Sequence, residues 1–324
     1  MKILITGITG MVGSHLADYV LAEHGDAAVH GLARWRSPTD NIRHLGERIQ
    51  IHLGDVTDLG SLIRLLEDIR PDRIFHLAAQ SYVTTSFTAP ADTLTTNVVG
   101  TNNLLEAVRI TGLDPLIHIC SSSEVYGQVT EADLPIKESQ PMRPASPYAV
   151  SKVGEDMIAY QYGLSYGQRI LRTRMFTHTG PRRGDVFAES AFARQIALIE
   201  AGIQTTPIRV GNLDSVRTYS DVRDAVRAYW LLLEKCTPGE VFNIGGTRTV
   251  TIGEVLEMLK GMARTEVEHV VDPDLLRPSD VTLQIPDVSK FMDATGWVPE
   301  ITLEQTLGDL LDYQRDRVRR EASP

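Results

Sequence analysis

At 324 residues and 42% hydrophobic content, the chain is long enough for one large domain with a full core and a smaller one beside it. A net charge of −10 argues against a nucleic-acid partner, whose phosphates it would repel. No apolar run approaches the ~20 residues that cross a bilayer, Met1 leads straight into a strand without a signal peptide, and Cys120 and Cys236 lack metal-ligand spacing, so a cytoplasmic protein with no membrane partner and no metal is expected.

Lys2-Ile3-Leu4-Ile5 is a short apolar run of the kind that makes a buried parallel strand. It opens into Thr6-Gly7-Ile8-Thr9-Gly10-Met11-Val12-Gly13, after which Ser14 to Leu21 reads as an amphipathic helix. Glycines in such a turn let the backbone approach a pyrophosphate held at the helix N-terminus. Gly7, Thr9, Gly10, Met11, Val12 and Gly13 are therefore expected to bind a dinucleotide; a ligand-free glycine turn is the alternative that the strand–turn–helix context disfavours. The second strand, about Ala27 to Ala33, ends in Arg34-Trp35-Arg36-Ser37 with no carboxylate for the ribose of NAD. Arg34 and Arg36 suit a 2′-phosphate instead, because guanidinium forks pair bidentately with phosphate oxygens. NADP is the expected cofactor, against the plainer reading of two solvated arginines.

Further on, Ile49 to Leu53 is a strand running into Gly54-Asp55-Val56, and Asp55 and Val56 are expected beside the adenine. Ser61 to Ile69 reads as a helix and Arg73 to Ala79 as a strand, where Leu77, Ala78 and Ala79 suit a backbone passing close to the cofactor. A long helix from Ala91 to Thr111 precedes Leu116 to Cys120, the strand that delivers Ser121, Ser122 and Ser123. This alternation describes an α/β fold, a doubly wound parallel (Rossmann) sheet with ligands beyond its carboxyl edge. The expected division is 1–175 plus 214–243 for the NADP-binding domain and 176–213 plus 244–324 for a smaller α/β substrate-binding domain. The tail after about Asp316 reads as a fraying helix end.

Tyr148 and Lys152 lie i and i+4 on a helix that Ser146 can cap and Pro147 can start, and Tyr148 follows Ser122 by 26 residues. A free phenol has a pKa near 10 and is a poor base. An adjacent ammonium and a positive nicotinamide ring are expected to lower it. A purely structural Tyr–Lys pair is the alternative; joined to the serine strand and the glycine turn, the pair points to hydride exchange at a carbinol carbon.

These residues carry a resemblance over nearly the whole chain to the extended short-chain dehydrogenases/reductases that act on nucleotide sugars. The similar stretches are Thr6 to Gly13, Phe75 to Ser81, Ser122 to Gly127, Arg143 to Lys152, and Gly296-Trp297-Val298-Pro299. Among them the chain is most similar to the GDP-mannose 4,6-dehydratases and GDP-4-keto-6-deoxymannose reductases. Thr179-Gly180-Pro181-Arg182-Arg183-Gly184 resembles the former, and the compact length and Arg217 to Asp224 resemble the latter. The resemblance implies a GDP-sugar substrate, held by Ser81, Thr177, Arg183, Val210, Arg217, Arg277 and Asp280. It also implies a homodimer or homotetramer built on the helices near 91–111 and 147–162, with Leu94, Val98, Leu105, Val150, Val153 and Met157 as apolar residues. Ser122, Ser123, Glu124, Tyr148 and Lys152 are the expected catalytic set. A dehydratase needs a carboxylate near sugar C5, and Glu124 is placed for it; a turn-capping Glu124, and a reductase that also carries a glutamate here, stay open. An epimerase and a non-enzymatic NADP-binding protein are further alternatives. Two departures stand out: Ser122 where the dehydratases have threonine, and Thr177 where the family has asparagine.

Overall fold

The computed structural model describes residues 1–205, 207–276 and 280–322. Strands β1 (Lys2–Thr6), β2 (Ala28–Ala33), β3 (Ile49–Leu53), β4 (Arg73–His76), β5 (Leu116–Ser122) and β6 (Ile170–Met175) join the Val241–Ile244 strand in one sheet. The spatial order is Val241–Ile244, β6, β5, β4, β1, β2, β3, and every neighbouring pair is parallel. The order reverses between β1 and β4, which opens a crevice beyond their carboxyl ends. Successive residues of β1 point to opposite faces: Ile3 and Ile5 join one core with Trp230 and Phe242, and Leu4 joins the other with Leu104 and Ile117. This is the doubly wound α/β sheet expected from the sequence.

Two elements differ from their expected form for identifiable reasons. β4 stops at His76 rather than Ala79, because the N–H groups of Leu77 and Ala78 both donate to Thr6 Oγ1 at 3.1 Å and leave the ladder. The long helix is interrupted: Pro90–Leu94 is α-helical, Thr95–Val99 is one π-helical turn, and Gly100–Thr111 is α-helical again.

The smaller part has its own core of Phe192, Ile196, Ile208, Leu256, Leu307 and Leu310. Val216–Thr218 pairs antiparallel with Thr249–Thr251 and parallel with Leu283–Gln284, and Ile208–Val210 pairs with His269–Val271. Val216–Thr218 thus sits in the small sheet, and we place the return to the large layer at the Val222–Lys235 helix, a few residues beyond 214. The last helix runs unbroken over Leu303–Ala322 instead of fraying at Asp316. It is held there by Arg315 on Glu200 and Arg317 on Asp185, each at 2.7 Å, and by the buried Val318. No helix among the described residues is long and apolar enough to cross a membrane.

Several histidines lie deep in this core. Burial depresses both His76 and His118 to about 3; the charge of Lys152 adds to the first, and His76 and then Lys152 add to the second. His15 and His178 are lowered to about 4, again chiefly by burial. A depressed folded-state value gives stability that is complete above the unfolded histidine value and is lost as pH falls from about 6.5 toward 3, at roughly 1.4 kcal/mol per group per pH unit. Glu155, raised by burial to about 7, acts in the opposite sense but is one group against four. The melting temperature is therefore expected to hold between about pH 8 and 7 and to drop steeply by about pH 5. Calorimetry showing the same Tm at both ends would contradict this burial.

Candidate active site

A cavity of about 840 Å³ lies between the carboxyl edge of the large sheet and the smaller part. Gly7, Thr9, Gly10, Met11, Val12 and Gly13 form its floor. Gly7 has φ +71°, and a Cβ there would sit 2.8 Å from the Ala78 nitrogen. A Cβ on Gly13 would come within 2.4 Å of the Gly7 carbonyl oxygen, so this turn closes only with glycine at both places. Gly10 precedes the Met11–Glu23 helix, and among the described residues no side chain caps it. Its first N–H groups are left for an anionic ligand, which fits a pyrophosphate.

Asp55, Val56, Leu77, Ala78 and Ala79 line the same cavity, as do Arg34, Ser37 and Asn41 beyond β2. Asn41 braces the turn by donating to the Thr9 carbonyl at 3.0 Å. The two arginines part company. Arg34 faces the cavity, whereas the Arg36 guanidinium lies over the Trp35 ring, 4.4 Å from its centroid. The glycine turn with Arg34 fits a dinucleotide bearing a 2′-phosphate; Arg36, over the exposed Trp35 ring, does not line the cavity.

The reactive groups come from two elements. Ser146 Oγ accepts from the Ala149 N–H at 3.0 Å and Pro147 begins the Pro147–Tyr166 helix. Its buried stripe is unusually polar: Tyr148, Ser151, Lys152 and Glu155 point inward. Lys152 Nζ donates to the Cys120 carbonyl at 3.0 Å and to Glu155 Oε2 at 2.9 Å, and stands 5.9 Å from the Tyr148 ring centroid. Burial pushes the Tyr148 phenol up, while Lys152 and a hydrogen bond with Ser122 pull it down. The net direction is upward: Lys152 by itself does not give the lowering expected from the ammonium together with a positive nicotinamide ring. Burial would lower Lys152, but Glu155 and Tyr148 outweigh it and hold the ammonium above its ordinary value.

Ser122 ends β5 and caps the Ser123–Tyr126 turn, accepting from the Glu124 N–H at 3.2 Å. The capping role open to Glu124 thus belongs to Ser122. The Glu124 carboxylate lines the cavity and accepts from Gln284 Nε2 at 3.1 Å; Ser123 Oγ donates to Gln284 Oε1 at 3.0 Å.

Across the cavity stand Ser81, Thr177, Arg183, Val210, Arg217 and Asp280. Arg183 Nε is buried and lies 3.3 Å from Glu189 Oε1, and the guanidinium stands 3.5 Å above the Phe187 ring. Arg217 Nη1 donates to the Val216 carbonyl at 3.0 Å and Nη2 to that of Val281. Asp280 accepts from Asn212 Nδ2 at 2.8 Å and Ser215 Oγ at 3.0 Å. Arg277, expected among these residues, lies outside the described residues.

Sequence reasoning passed over Asn97. Its amide, fully buried in the π-helical turn, accepts from the Gln80 N–H at 2.8 Å and donates to Ser151 Oγ at 2.8 Å. The one available signal was a polar residue of poor helix propensity inside a long helix, just before Gly100. Gln284 was missed as well, because its strand contributes two residues to the small sheet.

A doubly wound sheet presenting serine, tyrosine and lysine beside a glycine turn defines the extended short-chain dehydrogenases/reductases. The family model for GDP-mannose 4,6 dehydratase matches residues 4–310, and the chain belongs to that family. It is 36% identical over 320 residues to the GDP-6-deoxy-D-mannose reductase of Pseudomonas aeruginosa, covering 99% of both chains. It is also 36% identical over 361 positions to the GDP-mannose 4,6-dehydratase of Yersinia enterocolitica, covering 99% of this chain and 95% of that one. The solved structure of the Pseudomonas aeruginosa RMD complexed with NADPH matches with a TM-score of 0.85 over 98% of this chain and 99% of that one.

Three substitutions test these positions. Tyr148→Phe keeps the buried ring and removes the hydroxyl, so turnover should fall at least about a hundred-fold with an unchanged Tm and cofactor Kd. Near-normal turnover would remove Tyr148 from the chemistry. Arg34→Ala should raise the Kd for NADP about ten-fold or more, the size of a lost charge-assisted hydrogen bond, while Arg36→Ala should leave it nearly unchanged. Equal effects of the two would contradict the geometry beyond β2.

Proposed function

We propose that this chain is an NADP-dependent GDP-mannose 4,6-dehydratase that releases a GDP-4-keto-6-deoxy sugar. The observation that carries the reading is Glu124, a carboxylate on the wall of the cavity that also holds Ser122 and Tyr148. Arg217, held on the small sheet, and Arg183, ion-paired with Glu189 on the cavity wall, are cations suited to the nucleotide diphosphate. Membership of the GDP-mannose 4,6 dehydratase family supports GDP-mannose as the substrate.

The glycine turn and Arg34 would hold NADP, which would supply the hydride acceptor for C4 and the hydride donor for C6. Ser122 holds the C4 oxygen while Tyr148, as phenolate beside the Lys152 ammonium, takes its proton. The new carbonyl makes the C5 hydrogen acidic. Glu124 takes that proton and passes it to the hydroxyl leaving C6, which departs as water. Tyr148 then gives its proton to C5 as C6 is reduced. Both side chains end as they began, and the sugar has lost one water.

A 4-reductase is the second reading. It is favoured by the gap-poor match to the Pseudomonas aeruginosa protein, 320 residues covering 99% of both chains. It would use Ser122, Tyr148 and Lys152 and leave Glu124 without a proton to move. The family model and the placement of Glu124 favour the dehydratase.

We further propose a homodimer or homotetramer joined through the Pro147–Tyr166 helix. The polar stripe of this helix is buried, while Val150, Met157, Tyr160 and Leu164 are exposed beside Leu94 and Val99. Such a face is apolar on its outer side and asks for cover. Leu105, expected on it, is instead fully buried in the monomer core. A monomeric mass by light scattering at micromolar concentration would contradict this assembly.

Glu124→Gln separates the readings. In a dehydratase it should still oxidise C4, so reduced-nicotinamide absorbance accumulates on adding GDP-mannose and product formation falls at least about a hundred-fold. In a reductase the variant would keep turning over the 4-keto-6-deoxy sugar with NADPH. A wild-type enzyme inert toward GDP-mannose yet active on the keto sugar would overturn the dehydratase reading.

A further inference from the structure

Gln284 is 3% exposed and stands where the two parts of the molecule meet. Its strand, Leu283–Gln284, pairs with Val216–Thr218 so that Gln284 lies opposite Arg217. The next residues tie this strand to the large domain: the Ile136 N–H donates to the Ile285 carbonyl at 2.8 Å, and the Asp287 N–H donates to that of Ile136 at 2.8 Å. The side chain then spans two residues of the loop after β5, Glu124 through its nitrogen and Ser123 through its oxygen. The orientation of the amide follows from the partners. An ionised carboxylate can only accept, so the NH₂ end must face Glu124, and the carbonyl end is left for the Ser123 hydroxyl.

We propose that Gln284 is a positioning residue for Glu124: its amide holds the carboxylate in one orientation toward the sugar, and links it to the strand that carries Arg217. The argument rests on the reading of Glu124 as the group that takes the C5 proton. A fixed carboxylate matters there, because proton abstraction depends on a geometry held within hydrogen-bond reach. Oxidation at C4, which runs through Ser122 and Tyr148, does not pass through Gln284.

The test uses full-length holoenzyme and GDP-mannose with two variants. Gln284→Met removes both hydrogen bonds at nearly the same volume. Gln284→Glu keeps the shape and an acceptor for Ser123, loses the donor toward Glu124, and remains informative if the methionine variant fails to fold. Both variants are expected to lose about ten-fold or more in kcat, as for one charge-assisted hydrogen bond, with KM within about three-fold. Both should also accumulate reduced-nicotinamide absorbance, since C4 oxidation proceeds and the next step is slowed. Gln284→Glu with wild-type kcat, a raised KM at unchanged kcat, or loss of C4 oxidation in parallel with product would each overturn the proposal. A wild-type enzyme that does not dehydrate GDP-mannose would instead overturn the function on which it rests, and the inference with it.

Discussion

Asn97 satisfies both ends of its amide inside the protein, and the geometry of the reacting groups depends on it. Its nitrogen donates to the Gln80 carbonyl at 3.0 Å and to Ser151 Oγ, which in turn donates to the Tyr148 carbonyl at 2.6 Å. One π-helical turn in an otherwise α-helical stretch delivers this amide between two elements. The same helix meets the sheet through Thr101, bonded to His76 Nε2 at 3.0 Å, while His76 Nδ1 meets Thr6 Oγ1 at 2.8 Å. A continuous buried chain therefore runs from the end of β1, under the glycine turn, to the backbone of Tyr148. The neutral state of His76 belongs to this chain: a cation there would stand fully buried near the Lys152 charge.

The cavity has two poles, a lysine and a carboxyl group, each held by a different device. At one, Lys152 is buried against Glu155 and anchored to the Cys120 carbonyl, so the ammonium stays beside the phenol whatever occupies the cavity. At the other, Glu124 is reached by an amide from the small sheet. The first pole belongs wholly to the large domain, which suits a step shared by reductases, epimerases and dehydratases. The second bridges the two parts, which suits a step that must wait for the whole sugar nucleotide.

The order of strands, the glycine turn and the capped Tyr148 helix were legible because each rests on short-range signals: apolar runs, positive-φ glycine, proline at a helix start. The Asn97 turn was not, because a π-helical turn leaves no periodicity of its own and Asn97 reads as a weak helix residue. The separate fates of Arg34 and Arg36 were hidden for another reason. Both suit a phosphate by type, and only the stacking of Arg36 on Trp35 tells them apart. Gln284 lies 160 residues from Glu124, so no local pattern could have joined them. The C-terminal helix read as a fraying end by its position at the chain terminus, whereas Arg315 and Arg317 pair with Glu200 and Asp185, far away in sequence.

The central claim is that a single cavity lets Tyr148 exchange a proton with the C4 oxygen and Glu124 take the one on C5. Turnover of GDP-mannose in deuterated water, followed by mass spectrometry and proton NMR of the released sugar nucleotide, tests it most directly. The expected product has lost one water and carries solvent deuterium at C5. A product with its mass unchanged, or one that has lost water yet keeps the original hydrogen at C5, would contradict the account.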